Sequence, residues 1–288
     1  MRRAGWHGVC FMVVHLAVII FPGPLGAVGP PSAPDLRLEG NFVQGGLVIG
    51  QAATNSRISL DGKSIKQRGD GRFLIGFGRK AKAKAVLVVR HNNGAVTRRN
   101  LTINMRHYKV QRINGLPKKM VTPPANVLSR IRAEGKAIRT ARLKDTDKPL
   151  FDSGFMFPAR GPISGVYGSQ RILNGKPRRP HYGVDIAAPK GAFVRASADG
   201  IVRIAETDMY YTGGTVLIDH GYGLNSVYSH LAKVIATVGM AVRKGQVIGN
   251  VGATGRATGV HLDWRVNLFL TRLDPALLVP PMAKAPRP

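Results

Sequence analysis

Short alternating runs dominate the first half of the chain. Between Gly45 and Met105 they read GGLVIG, SRISLDG, GRFLIGFG, KAVLVVRHNNG and RNLTINM. Apolar and polar residues change places at every second position, the period of a half-buried strand. Asp61-Gly62, Asp70-Gly71 and Asn93-Gly94 fall between the runs at intervals suited to hairpins. The pattern predicts a small antiparallel sandwich over residues 35–115, immunoglobulin-like in its strand spacing. It holds no catalytic cluster. His91, next to the Asn-Asn-Gly turn, and His107, among basic residues, read as surface groups.

The period changes at VTPPANVLSRIRAEGKAIRTARLKD, Val121 to Asp145. Pro123 and Pro124 are placed to open a helix, and Val127, Leu128, Ile131 and Ile138 fit one helical face. This predicts a basic helical linker over residues 116–150, packed between two domains and weakened by Gly135. From Phe151 to Pro280 the chain turns into Gly-rich β sequence, with Gly191, Gly200, Gly239, Gly245 and Gly249 punctuating β-branched runs. A second, mostly antiparallel β domain over 151–280 follows, so the fold class is mainly β. The tail from Pro281 to Pro288 reads as disordered.

The first residues have another character. Arg2 and Arg3 precede the apolar run Val9 to Phe21, which is followed by PGPLGA. That order predicts a signal peptide over residues 1–27 and a periplasmic or secreted mature protein. The run is short for a bilayer span, so the mature chain is expected to have no transmembrane segment. Cys10, the sole cysteine, would leave with the signal, and stability then comes from packing without disulfides.

Charge narrows the partners. The formal net charge is +28, and between Lys63 and Lys144 there are 22 Lys or Arg residues against only Asp70 and Glu134. Such a field attracts polyanions. Nucleic acid is not expected among them, because the chain has no aromatic platform sequence, no zinc-finger spacing and no Gly-rich clamp. An exported chain meets lipid and lipopolysaccharide phosphates and cell-wall carboxylates instead.

Candidate chemistry lies in the C-terminal half. In GVHLDWRV, Gly259 to Val266, Leu262, Trp264 and Val266 form one row, and His261, Asp263 and Arg265 the other. An imidazole and a carboxylate two residues apart share a strand face at about 7 Å along the chain, which a surface strand alone would explain. In PHYGVD, Pro180, Gly183 and Pro189 argue against a helix, while a bend at Gly183 could bring His181 and Asp185 onto one metal. In VYSHLAKV, His230 and Tyr228 share a face; His230 could be a core histidine, and Tyr228 is either packing or a substrate contact. His220, in IDHGYG, reads as a turn residue hydrogen-bonded to backbone.

Taken in order, these elements resemble the LytM/lysostaphin-like zinc endopeptidases that cut peptidoglycan peptide cross-bridges. The resemblance runs through FPARGPISGVYGSQR, HYGVDIAAPKGAFVRASADGIV, GGTVLIDHGYGLNSVYSHL and GMAVRKGQVIGNVGATGRATGVHLDW. It implies the family's antiparallel β fold (the duplicated hybrid motif) with a groove and a zinc ion at its floor. Carried across, His181 and Asp185 take the places of two zinc ligands, and His230 and His261 those of the catalytic histidines. Asp263 stands where the family has a third ligand histidine, a departure, although aspartate is itself an acceptable zinc ligand. Tyr228 is carried as a substrate-binding candidate.

The implied function is a secreted zinc metalloendopeptidase acting on peptidoglycan stem peptides or cross-bridges, by metal-assisted hydrolysis with His230 and His261 as acid–base groups. Peptidoglycan and other anionic envelope polymers are the expected partners. The rival, supported by Asp263 alone, is a degenerate, non-hydrolytic relative that activates a separate cell-wall amidase. A purely structural envelope-binding protein remains only if no zinc binds.

Overall fold

The computed structural model describes residues 36–282. The expected signal segment and all of the expected tail except Pro281 and Met282 lie outside the described residues.

The alternating runs of the first half form two antiparallel sheets. One orders Arg37–Gly40, Leu47–Gln51 and Arg72–Gly76; the other orders Lys63–Ile65, Arg57–Leu60, Lys84–Arg90 and Val96–Thr102. Val48, Phe73, Ile75, Leu87 and Val89 fill the space between them. The Asp61-Gly62 turn puts both residues at positive φ, 48° and 77°, as a two-residue hairpin turn demands. His91 is not a surface group. It is buried, with Nδ1 3.3 Å from Ser56 Oγ and Nε2 2.9 Å from Thr97 Oγ1, because Lys84–Arg90 delivers it to the closed end of the sandwich. His107 is exposed as expected.

Val110–Ile113 leaves that sandwich and pairs in parallel with Gln170–Leu173, setting Gln111 opposite Arg171. The helix Leu128–Arg142 follows a short helical turn at Lys118–Val121. Ile138 and Ala141 pack on Ile204, Met209, Leu217 and Val227. The helix therefore covers the back of the C-terminal sheet and does not lie between two domains. Its apolar stripe is too narrow to serve two surfaces: Leu128, expected on the buried face, is exposed. Nothing lies within 4 Å of where a Gly135 β-carbon would stand, so packing does not require glycine there.

Phe151 onward builds a ten-stranded sheet. Its path runs Ala241–Val242, Gly200–Met209, Gly213–Asp219, Leu224–Val234, Leu262–Leu268, Val184–Ile186, Ile163–Gly165. Neighbours along this path pair antiparallel. Leu262, Trp264 and Val266, the apolar row of the last long strand, are fully buried with Ile186, Val216, Ile218 and Leu224. Leu47 and Leu74 of the first three-stranded sheet join the same core. The molecule is mainly β. No helix among the described residues is long and apolar enough to cross a membrane.

Candidate metal centre and its cleft

Strand register creates the centre. Leu262–Leu268 lies between Val184–Ile186 and Leu224–Val234, and pairing sets Asp263 opposite Asp185 on one side and Ser229 on the other. Two carboxylates directly opposite on neighbouring strands repel unless a cation offsets them. His181 reaches the same place through a close approach at Gly183. A β-carbon there would stand 2.5 Å from the Trp264 carbonyl oxygen and 2.8 Å from Asp263 Oδ1, so only glycine lets the chain pass.

His181, Asp185 and Asp263 thus bring ligand atoms within 4.8 Å of one another, all three side chains buried. His181 Nε2 lies 3.1 Å from Asp185 Oδ1, yet neither atom has an aligned hydrogen-bond partner, and His181 Nδ1 has none either. Buried polar atoms left unsatisfied cost about 1–3 kcal/mol each. Their convergence fits a cation, and an imidazole with two carboxylates is a donor set that zinc accepts.

Each carboxylate also holds its own arginine. Asp185 Oδ2 accepts from Arg171 Nη2 at 2.7 Å. Both oxygens of Asp263 accept from Arg265, whose Nε stands 2.9 and 3.1 Å from them and whose Nη2 closes the fork. Burial opposes ionisation of Asp263, and the Arg265 charge overcomes it, holding the carboxyl well below its usual range. At Asp185 burial and the Asp263 charge push upward, while His181 and Arg171 bring the carboxyl below its ordinary value.

His230 and His261 stand beside these groups, ring centroids 4.9 Å apart. His261 Nε2 is 3.8 Å from Asp185 Oδ1. His230 Nδ1 meets the Thr254 carbonyl at 2.8 Å, and His261 Nδ1 meets that of Gly259 at 2.9 Å. A carbonyl can only accept, so each Nδ1 carries a proton, and in the neutral form of either ring the lone pair falls on Nε2. Burial, with some help from the His261 charge and against that of Asp263, lowers the pKa of His230 to about 4. His230 is therefore neutral at physiological pH and able to take a proton.

Tyr228 requires a correction. Two residues apart on a regular strand, Tyr228 and His230 would share a face. His230 instead adopts φ +67°, and the strand register shifts just beyond it. The bend separates the two side chains. Tyr228 is fully buried, its hydroxyl accepting from Ser197 N at 2.8 Å and lying 2.7 Å from Ser197 Oγ and 2.9 Å from Ser226 Oγ. It packs the core and does not meet substrate. His220 joins the same network: Nε2 is 2.7 Å from Ser226 Oγ, while Nδ1 bonds the Asp199 carbonyl at 2.6 Å.

Arg171, Arg256 and Thr254 carried no assignment from the sequence. Arg265 was visible only as the next member of the polar row after Asp263, the one signal that could have found it. A cleft above the centre is lined by Asp185, His230, His261, Arg171, Arg256 and Thr258, with Gln111, Ile113 and Leu116 from the segment after the sandwich.

Comparison with known proteins places this geometry. Residues 179–275 match peptidase family M23, so the chain carries a peptidase M23 domain. The chain is 41% identical over 110 residues to the DD-carboxypeptidase/endopeptidase Mpg of Neisseria meningitidis, covering 37% of this chain and 25% of that protein. It is 34% identical over 133 residues to the peptidoglycan DD-endopeptidase ShyB of Vibrio cholerae, covering 46% and 28%. The chain spans about a quarter of the length of these curated relatives. A solved structure from Pseudomonas aeruginosa, provisionally assigned as a peptidase M23, superposes with a TM-score of 0.63 at 27% identity, over 83% of this chain and 95% of that one.

Proposed function

We propose that the protein is a zinc-dependent endopeptidase that hydrolyses peptide bonds in peptidoglycan after export to the cell envelope. One observation carries the reading: ligand atoms of His181, Asp185 and Asp263 converge in a buried place, both His181 nitrogens and Asp185 Oδ1 without hydrogen-bond partners, next to two histidines whose Nδ1 atoms are tied to backbone. In this reading His181, Asp185 and Asp263 hold the ion. Zinc, when bound, supplies Lewis-acid polarisation of the scissile carbonyl and of a water. His230 and His261 present Nε2 atoms to the attacking water; an Nε2 that takes the water's proton becomes an N–H able to donate to the developing oxyanion, and the backbone carbonyls on the far sides keep both rings in that orientation. The substrate class rests on the M23 relatives named for peptidoglycan peptide cleavage. The basic segment between Lys63 and Lys144 would hold the enzyme near anionic envelope polymers.

The second reading, a non-hydrolytic activator of a cell-wall amidase, is favoured by one feature. Both oxygens of Asp263 already accept from Arg265, so the carboxylate must be shared with any ion. Incubating the zinc-loaded protein with purified peptidoglycan, with and without chelator, separates the two. Peptide fragments that vanish with chelator support the hydrolase. Fragments appearing only when an amidase is added support the activator.

A further inference from the structure

The loop between Gly252 and His261 is closed at its base, where His261 N donates to the Gly252 carbonyl at 3.1 Å. Both candidate catalytic histidines are oriented by it. Thr254 offers its carbonyl to His230, and Gly259 offers its own to His261. Arg256 projects from the same loop and lines the same cleft.

Arg256 is the cation of this cleft that has no acid. Asp185 is taken by Arg171, and Asp263 by Arg265. Among the described residues no carboxylate pairs with Arg256. Burial opposes its charge most, Tyr211 favours it, and the guanidinium groups of Arg171, Arg265 and Arg178 oppose it. Its protein contacts are the Tyr211 ring, 4.3 Å from Cζ, and one long hydrogen bond from Nη1 to the Met120 carbonyl at 3.3 Å. Nε and Nη2 remain to be used. A half-buried guanidinium without a counter-ion, its Nε and Nη2 unpaired among like charges, is only partly compensated by the protein alone. A carboxylate entering the cleft would complete that compensation through a two-pronged, charge-assisted pair, the geometry an arginine fork provides.

We propose that Arg256 is a recognition site for a substrate carboxylate lying within one or two residues of the scissile bond. This rests on the reading of the cleft as a peptidase site and specifies its substrate. The class is a peptide bearing a free carboxylate beside the cut, either a C-terminal α-carboxylate or the side-chain carboxylate of a diamino acid.

The test measures equilibrium binding to the zinc-loaded full-length protein. Two ligand pairs are used: a stem peptide ending in D-alanine as free acid and as amide, and one whose diamino-acid carboxylate is free or amidated. The wild type should bind the free acid of one pair about 10- to 100-fold more tightly than its amide, the size of a charge-assisted contact. Which pair discriminates identifies the carboxylate. Arg256→Gln should bring that ratio to within about twofold, and Arg256→Lys should keep an intermediate ratio, because it retains the charge and loses the fork. Zinc per chain controls for folding, and the lysine variant decides the matter if the glutamine variant fails to fold. Absence of discrimination in both pairs by the wild type, or a ratio that survives Arg256→Gln, overturns the proposal. Peptide cleavage is followed in the same samples. Discrimination without cleavage would retire the hydrolase and leave the carboxylate site; cleavage without discrimination would do the reverse.

Discussion

Asp185 and Asp263 are direct partners across two antiparallel strands, both buried, and each is hydrogen-bonded to a different arginine. The four charges make two neutral pairs packed against each other, so the centre survives without an ion although its carboxylates repel. Arg265→Met should therefore destabilise the zinc-free protein by about 3–5 kcal/mol, the cost of leaving a buried charge unpaired. The zinc-loaded variant should lose less, because a cation bridging the carboxylates takes over part of that role. Thermal melts of both proteins with and without zinc measure this. Equal losses in the two states would mean that Asp263 does not serve the ion.

Ligand and catalytic roles separate cleanly in single substitutions. Asp263→Ala leaves only His181 and Asp185 and should lose most bound zinc together with peptidoglycan cleavage. Asp263→His should keep zinc, since imidazole is an equally good donor. His261→Ala should keep zinc near the wild-type level while the rate falls about 100-fold or more, the usual contribution of a positioned acid–base group. Zinc per chain and fragment release, measured side by side on the three variants, check the assignment. Full zinc in Asp263→Ala would return Asp263 to an ordinary ion pair with Arg265.

Burial of Tyr228 gives a contrasting expectation. Tyr228→Phe strips a partner from the Ser197 amide and from two hydroxyls and should cost about 1–3 kcal/mol of stability. KM for peptidoglycan peptides should stay at the wild-type value, because the ring remains and never touches the cleft. A raised KM with an unchanged melting temperature would restore the substrate-contact role.

The site was legible where chemistry is local in sequence. His181 and Asp185 lie four residues apart around Gly183, and His261 and Asp263 alternate on one strand, so each pair was visible as a pair, while their grouping into one site came from the family resemblance. The alternating runs between Gly45 and Met105 likewise revealed most of their own strands. What pairing distant segments decides was not legible. Nothing in VYSHLAKV announces the positive φ at His230 that parts it from Tyr228. His91 looked exposed because its turn is polar, while its burial depends on Ser56 and Thr97 closing around it. Arg171 reaches Asp185 from Gln170–Leu173, a strand of a different sheet, a neighbourhood no local pattern encodes.

Acid should weaken the fold through His220. Its ring is fully buried, and burial lowers its pKa from 6.5 to about 4 against the opposing hydrogen bond to Asp199 and the Asp219 charge. Between those values the unfolded chain binds a proton that the folded chain refuses. The stability held by neutral His220 is therefore complete above about pH 6.5 and is lost as pH falls toward 4, some 3 kcal/mol over the window. His230 is shifted in the same direction, so the wild type should lose more than one histidine's share. His220→Gln keeps a polar group near Asp199 and Ser226 but cannot titrate. It should begin less stable at pH 7 and lose about 3 kcal/mol less than the wild type on going to pH 4. Urea unfolding of both proteins at the two pH values makes the comparison. Parallel losses would place the acid sensitivity elsewhere, with the carboxylates at the metal centre as the next groups to substitute.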